Sequence, residues 1–122
     1  LVTSRVGQGY YRQQIREKWN DACPLTGLTL PGLLISSHIK RWSECNDEER
    51  LDRDNGILLS PNADALFDKH LISFADDGSL IVSRLISDEV LRRMGIDTNV
   101  QIEVSPGMRK YLEHHRGKMA RK

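Results

Sequence analysis

The stretch from His38 to Asp68 constrains the fold more than any other. The apolar run Leu33-Leu34-Ile35 leads to Ser37-His38, and Asn55-Gly56 opens a second run, Ile57-Leu58-Leu59. Ser60-Pro61 follows at once. Ser60 is a candidate N-cap, and Pro61 suits a first helical position, where its missing N–H has no partner to lose. Ala65 and Leu66 continue the helix, which must end near Lys69 or His70 because Leu71-Ile72-Ser73-Phe74 reads as strand. The order is therefore strand, long loop, strand, short helix. The loop, Ile39 to Asp54, has no clean period beyond one turn around Asp47 to Leu51, and long loops inside small domains are often functional.

Elements flank this core on both sides. Tyr11, Ile15, Trp19 and Ala22 form one apolar stripe, which predicts a core-packing helix over 10–22 after an unstructured lead-in at 1–9. Pro24 and Gly27 give a turn, and Leu28 to Ser36 reads as a strand interrupted by Pro31-Gly32. Asp76-Asp77-Gly78 is a hairpin turn, with Leu80-Ile81-Val82 as the return strand. Ser87 caps a helix that carries Asp88 and Glu89 in its first turn, Arg92 and Arg93 in its last, and Gly95 as its stop. Val100, Ile102 and Val104 alternate with polar residues as a half-buried strand would. Ser105-Pro106 starts a last helix with the apolar face Met108, Tyr111, Leu112 and His115, and the tail at 117–122 is polar.

The chain has 122 residues, 39% hydrophobic and 29% charged, which suits one α+β domain with a single core. No apolar run approaches the length of a membrane span and no signal peptide opens the chain, so a cytoplasmic location without a membrane partner is expected. The first residue is Leu rather than Met. The chain is read as the C-terminal part of a larger protein, with a further domain upstream. A net charge of +1 does not mark a nucleic-acid binder, but its distribution is uneven. Acidic residues dominate Glu44 to Asp54, and basic ones dominate Arg109 to Lys122. Such runs are commonly solvated surfaces, although a basic helix can also meet phosphates. Cys23 and Cys45 lack the paired spacing of a structural zinc site, and none is expected.

Asp64 and Asp68 are four residues apart, one helical turn, so both carboxylates can meet one hard divalent cation such as Mg²⁺. Such an ion stabilises charge developing on a phosphoryl oxygen. His38 titrates near neutral pH and can deprotonate an attacking water, while the Asn55 amide can hold the loop and orient the imidazole. Each feature also has a plainer reading. Exposed Asp pairs are often only solvated, Asn-Gly is a common turn dipeptide, and a lone His after a strand is often structural.

The order of these residues resembles the HNH endonucleases, and more narrowly the HNH domain of bacterial restriction-type nucleases. The resemblance rests on R-V-G-Q-G-Y-Y-R at Arg5 to Arg12, C-P-L-T-G at Cys23 to Gly27, S-H-I-K at Ser37 to Lys40, and N-G-I-L-L-S-P-N-A-D-A-L-F-D at Asn55 to Asp68. L-I-S-F at Leu71 to Phe74 and Y-L-E-H-H-R at Tyr111 to Arg116 extend it. It implies a ββα-metal core at 28–70, flanked by an N-terminal helix, a β-hairpin, and a C-terminal strand and helix. It assigns His38 as general base, Asn55 as the central Asn, and Asp64 and Asp68 as ligands of one divalent metal, Mg²⁺ or alternatively Mn²⁺. Asn62 is a weaker ligand candidate. The implied partner is DNA, with Lys40, Arg41, Arg109, Lys110 and Arg116 as contact candidates, and a homodimer is compatible with cutting both strands. The chain departs from the pattern in three places. Ser37 stands where many relatives have a ligating Asp or His, which leaves the ligand count open. Arg41 replaces a common Pro, and His70 replaces a common Gly. The implied function is metal-dependent DNA cleavage. The alternatives are a DNA-binding module that has lost cleavage and a nuclease toxin acting on RNA or unspecific DNA.

Overall fold

The computed structural model describes residues 4–119. Helix α1 spans Ser4–Lys18, strand β1 Ile35–Ser37, helix α2 Asp47–Leu51, strand β2 Ile57–Leu59 and helix α3 Pro61–Asp68. Strands β3 (Ile72–Phe74) and β4 (Leu80–Val82) follow, then helices α4 (Asp88–Arg93) and α5 (Arg109–Gly117). Strands β1 and β2 pair antiparallel in the register Ile35 with Leu59, Ser36 with Leu58 and Ser37 with Ile57. Strands β3 and β4 form a separate antiparallel hairpin. This is an α+β arrangement consistent with the ββα-metal architecture that the resemblance implies.

Strand β2 is the centre of the domain. Ile57 and Leu59 enter the main core with Ala63, Leu66 and Phe67 of α3, Ile72 and Phe74 of β3, Leu91 of α4 and Tyr111 and Leu112 of α5. Leu58 points the other way, into a smaller cluster with Tyr11 and Ile15 of α1. Both faces of β2 are therefore covered, which is why its sequence is a continuous apolar run rather than an alternation. Gly56, just before the strand, has no room for a side chain: a Cβ there would collide with Tyr11 Oη and Ile15 Cδ1. The Trp19 indole also donates to the Gly56 carbonyl at 3.0 Å. The Asn55-Gly56 pair thus marks the docking of α1 and not a hairpin turn.

Several boundaries differ from the sequence expectation. Residues 4–9, expected as part of an unstructured lead-in, belong to α1; Gly7 and Gly9 are poor helix formers and concealed this. Residues 1–3 lie outside the described residues. The helix stops at Lys18 rather than Ala22, because Asn20 and Asp21 both adopt φ of 54°, a left-handed conformation that these residue types tolerate. The strand expected over 28–36 shrinks to β1, since Pro31–Leu33 forms a 3₁₀ turn.

The strand expected around Val100 to Val104 is replaced by one antiparallel bridge between Ser79 and Gln101. Only the tight turn of the β3–β4 hairpin reaches this segment, through an Ile102 N–H to Gly78 carbonyl bond of 2.9 Å, so no ladder extends from it. Its alternation still reports burial, because Ile102 is in the core. Helix α4 forms as expected, with the Ser87 hydroxyl accepting from the Val90 N–H and Gly95 at φ of 76° beyond its end. Helix α5 buries Tyr111, Leu112 and His115, preceded by buried Met108. Cys23 and Cys45 are free buried thiols.

Candidate active site

His38 follows the last residue of β1 and is half-buried. Its Nε2 lies 2.9 Å from the Arg50 carbonyl. A carbonyl oxygen only accepts, so Nε2 carries the proton and Nδ1 keeps its lone pair. Nδ1 has no hydrogen-bond partner among the described residues. Burial holds the His38 imidazole below its ordinary value, against the opposing pull of the Arg50 carbonyl, and the neutral form is favoured near pH 7. The ring also lies flat on Tyr11, with centroids 4.1 Å apart and planes 6° from parallel.

The Arg50 carbonyl is held in place by the design of α2. Asn46 and Glu49 form a reciprocal capping box, with Glu49 N–H to Asn46 Oδ1 at 2.8 Å and Asn46 N–H to Glu49 Oε1 at 2.9 Å. Lys40 Nζ reaches both Glu49 oxygens, at 3.2 and 3.0 Å. On the outer side, the Arg50 guanidinium stacks 3.8 Å over the Trp42 ring.

Asn55 is fully buried and staples this loop from beneath. Its Oδ1 accepts from the Lys40 N–H at 2.8 Å, and its Nδ2 donates to the Glu49 carbonyl at 2.9 Å and to Cys45 Sγ at 3.4 Å. The Asn55 carbonyl accepts from the Tyr11 hydroxyl at 2.6 Å. Burial raises the Tyr11 pKa well above the ordinary phenol value, so the hydroxyl remains a donor. The Asn55 amide bonds to Lys40, Cys45 and Glu49 rather than to the imidazole. It fixes both ends of the segment from Lys40 to Glu49, on which the placement of His38 depends.

Asp64 lies in the first turn of α3, half-buried, and its Oδ1 accepts from the Ser37 hydroxyl. This places the carboxylate one residue away from His38, across the junction of β1 and α3. Asp68, a turn further along, is turned toward Arg41, whose guanidinium donates to the Asp68 carbonyl at 2.9 Å and lies 3.7 Å from its carboxylate. Asn62 is engaged at both ends of its amide, accepting from Ser60 Oγ at 2.6 Å and donating to the Met94 carbonyl at 2.6 Å. No group of three or more His, Cys, Asp and Glu among the described residues is disposed around one metal position.

The donor chemistry nevertheless suits a hard cation. Asp64 and the Ser37 hydroxyl are oxygen donors side by side, and Mg²⁺ commonly binds through one or two carboxylates while keeping several waters. At the Asp68 carboxylate a cation would compete with an exposed ion pair to Arg41.

The candidate DNA contacts divide. Arg109 and Lys110 are exposed. Arg116 is committed to the β3–β4 hairpin, donating to the Phe74 carbonyl at 2.9 Å and to Asp76 at 3.1 Å. Lys40 is tied to Glu49, and Arg41 to the end of α3. His70 has φ of 59°, a conformation that glycine adopts freely, and stacks on His115 with centroids 4.3 Å apart. The Gly-to-His departure therefore keeps the glycine-like turn.

Residues 23–75 match the family model of the HNH endonucleases. This segment is similar to the HNH endonucleases. The matched HNH segment contains β1, α2, β2, α3 and β3, hence His38, Asn55, Asp64 and Asp68 together, and leaves α1 and α5 outside it. No curated protein matches the chain. HNH proteins are nucleases that act on DNA and generally use a divalent metal. No helix among the described residues is long and apolar enough to cross a membrane.

Sequence reasoning named His38 and Asn55 as site candidates. It did not find the Arg50 carbonyl, because a backbone acceptor leaves no mark in a sequence. Nor did it find Tyr11 as a partner of His38, because Tyr11 sits in an apolar helical stripe that reads as core.

Proposed function

We propose that this chain is the cleavage domain of a restriction-type DNA endonuclease, with His38 as general base and Asp64 as the principal ligand of one Mg²⁺ or Mn²⁺ ion. The supporting observation is the His38 hydrogen bond: Nε2 donates to the Arg50 carbonyl, which leaves the Nδ1 lone pair available to act as a base. His38 Nδ1 takes a proton from a water as that water's oxygen attacks phosphorus. The phosphorus–oxygen bond to the leaving sugar then breaks, and the leaving oxygen takes its proton from solvent. A bound divalent ion supplies stabilisation of the negative charge that develops on the phosphoryl and leaving oxygens. Asn55 contributes by keeping the segment from Lys40 to Glu49 in one conformation. Of the candidate cations, exposed Arg109 and Lys110 of α5 are read as contacts to the DNA backbone.

The ion pair of Asp68 with Arg41 competes with a cation for that carboxylate, which favours one alternative, a DNA-binding module without cleavage. A plasmid-nicking assay separates the two. Nicking with Mg²⁺ that stops on chelation supports the endonuclease. Plasmid binding with no nicking under Mg²⁺ or Mn²⁺ supports the binding module. RNA run in parallel tests substrate class.

A further inference from the structure

We infer that Tyr11 is a positioning residue for the general base, so that the catalytic unit includes α1 and not only the segment matched by the HNH model. The inference rests on the reading of His38 as base. A hydrogen bond from Nε2 to the Arg50 carbonyl fixes one atom of the imidazole but leaves the ring free to swing about that bond. The parallel contact with Tyr11 removes this freedom, because rotation would drive the imidazole edge into the phenol ring. The two restraints together set the direction of the Nδ1 lone pair.

Tyr11 is itself immobilised. It is 2% exposed, packs with Ile15 and Leu58, and its hydroxyl is bonded to the Asn55 carbonyl. Gly56 admits it, since any larger residue there would displace its hydroxyl. One side chain from outside residues 23–75 therefore touches both His38 and Asn55.

The test compares Tyr11→Phe with Tyr11→Leu and Tyr11→Met in the full chain, with His38→Ala as reference. Each protein is measured for single-turnover nicking at saturating enzyme, for DNA affinity, and for the His38 tautomer by ¹⁵N NMR. Tyr11→Phe keeps the stack and loses only the hydroxyl bond, so its rate should stay within about threefold of the parent, with a single Nε2–H tautomer. Tyr11→Leu and Tyr11→Met keep an apolar filling without a flat face. Their rate should fall by about tenfold to a hundredfold, the scale of a small misplacement of a reacting group, with DNA affinity unchanged and mixed tautomers.

The flexible Met fills the site if Leu does not fold, and its result then decides. Parent-like rates in the folded Leu or Met variant, with His38→Ala inactive, would overturn the role of Tyr11 alone. Parent-like cleavage by His38→Ala would overturn the reading beneath it.

Discussion

The Ser37 hydroxyl donates to the Asp64 carboxylate, joining the last residue of β1 to the first turn of α3. The bond aims the carboxylate at the strand that carries His38, while Asp68 is occupied by Arg41. The two aspartates should therefore differ. Asp64→Ala is expected to lower Mg²⁺ or Mn²⁺ affinity by about tenfold or more, and Asp68→Ala by much less, with the fold retained. Calorimetric metal titration of the two variants checks the order; equal losses, or none, would contradict it.

Asn55→Ala should act first on stability. It strands the part-buried Lys40 N–H and leaves the Glu49 carbonyl with only the longer bond from the Asp52 N–H. The cost is expected at about 2–4 kcal/mol. Denaturant unfolding measures it, and hydrogen exchange should show the segment from Lys40 to Glu49 opening ahead of β2. A loss below about 0.5 kcal/mol, within the range of an ordinary surface substitution, would contradict the stapling role.

His115 predicts an acid instability. Its Nε2 donates to the Phe67 carbonyl at 2.8 Å, so its Nδ1 accepts from Ser73 Oγ at 2.8 Å, and the ring is neutral. Burial pushes its pKa down to about 4. The folded value lies below the unfolded one, so the folded chain binds fewer protons. Stability is then full above about pH 6.5 and is lost as pH falls toward 4, by about 3 kcal/mol at most. Chemical unfolding at stepped pH should show this slope, and His115→Gln should flatten it. A slope unchanged in the variant would assign it to other groups.

Neutralising charges on α5 should separate two functions. Arg109→Gln with Lys110→Gln is expected to weaken binding to all DNA sequences and reduce the salt dependence of binding by up to about two charges. Arg116→Gln should instead loosen the β3–β4 hairpin, lowering stability with less effect on the salt slope. Filter binding across a salt series, with melting curves beside it, distinguishes them. An unmoved slope in the first variant would leave α5 as packing alone.

Much of this was legible in the chain. Ile57-Leu58-Leu59 followed by Ser60-Pro61 announced β2 and α3, and the α5 face of Met108, Tyr111, Leu112 and His115 is the buried one. Candidates that rest on side-chain type, such as His38, are legible because the chemistry is written in the residue. Tyr11 stayed concealed because packing on β2 and stacking on His38 demand the same residue type in the same stripe. Val100 to Val104 misled because alternation records burial on one side, which a single bridge satisfies as well as a ladder does. Arg116 looked like a free cation because nothing in a sequence shows that a carbonyl of β3 will meet it.

The central claim is that His38 Nδ1 is the base, and single-turnover cleavage by His38→Ala, with DNA and metal affinity measured in parallel, tests it most directly. The account predicts a loss of about two to four orders of magnitude in rate with both affinities retained. It also predicts, for the parent, an acid limb centred below the ordinary imidazole value of 6.5, because burial favours the neutral ring. A His38→Ala protein that binds DNA and cuts it at the parent rate would contradict the account.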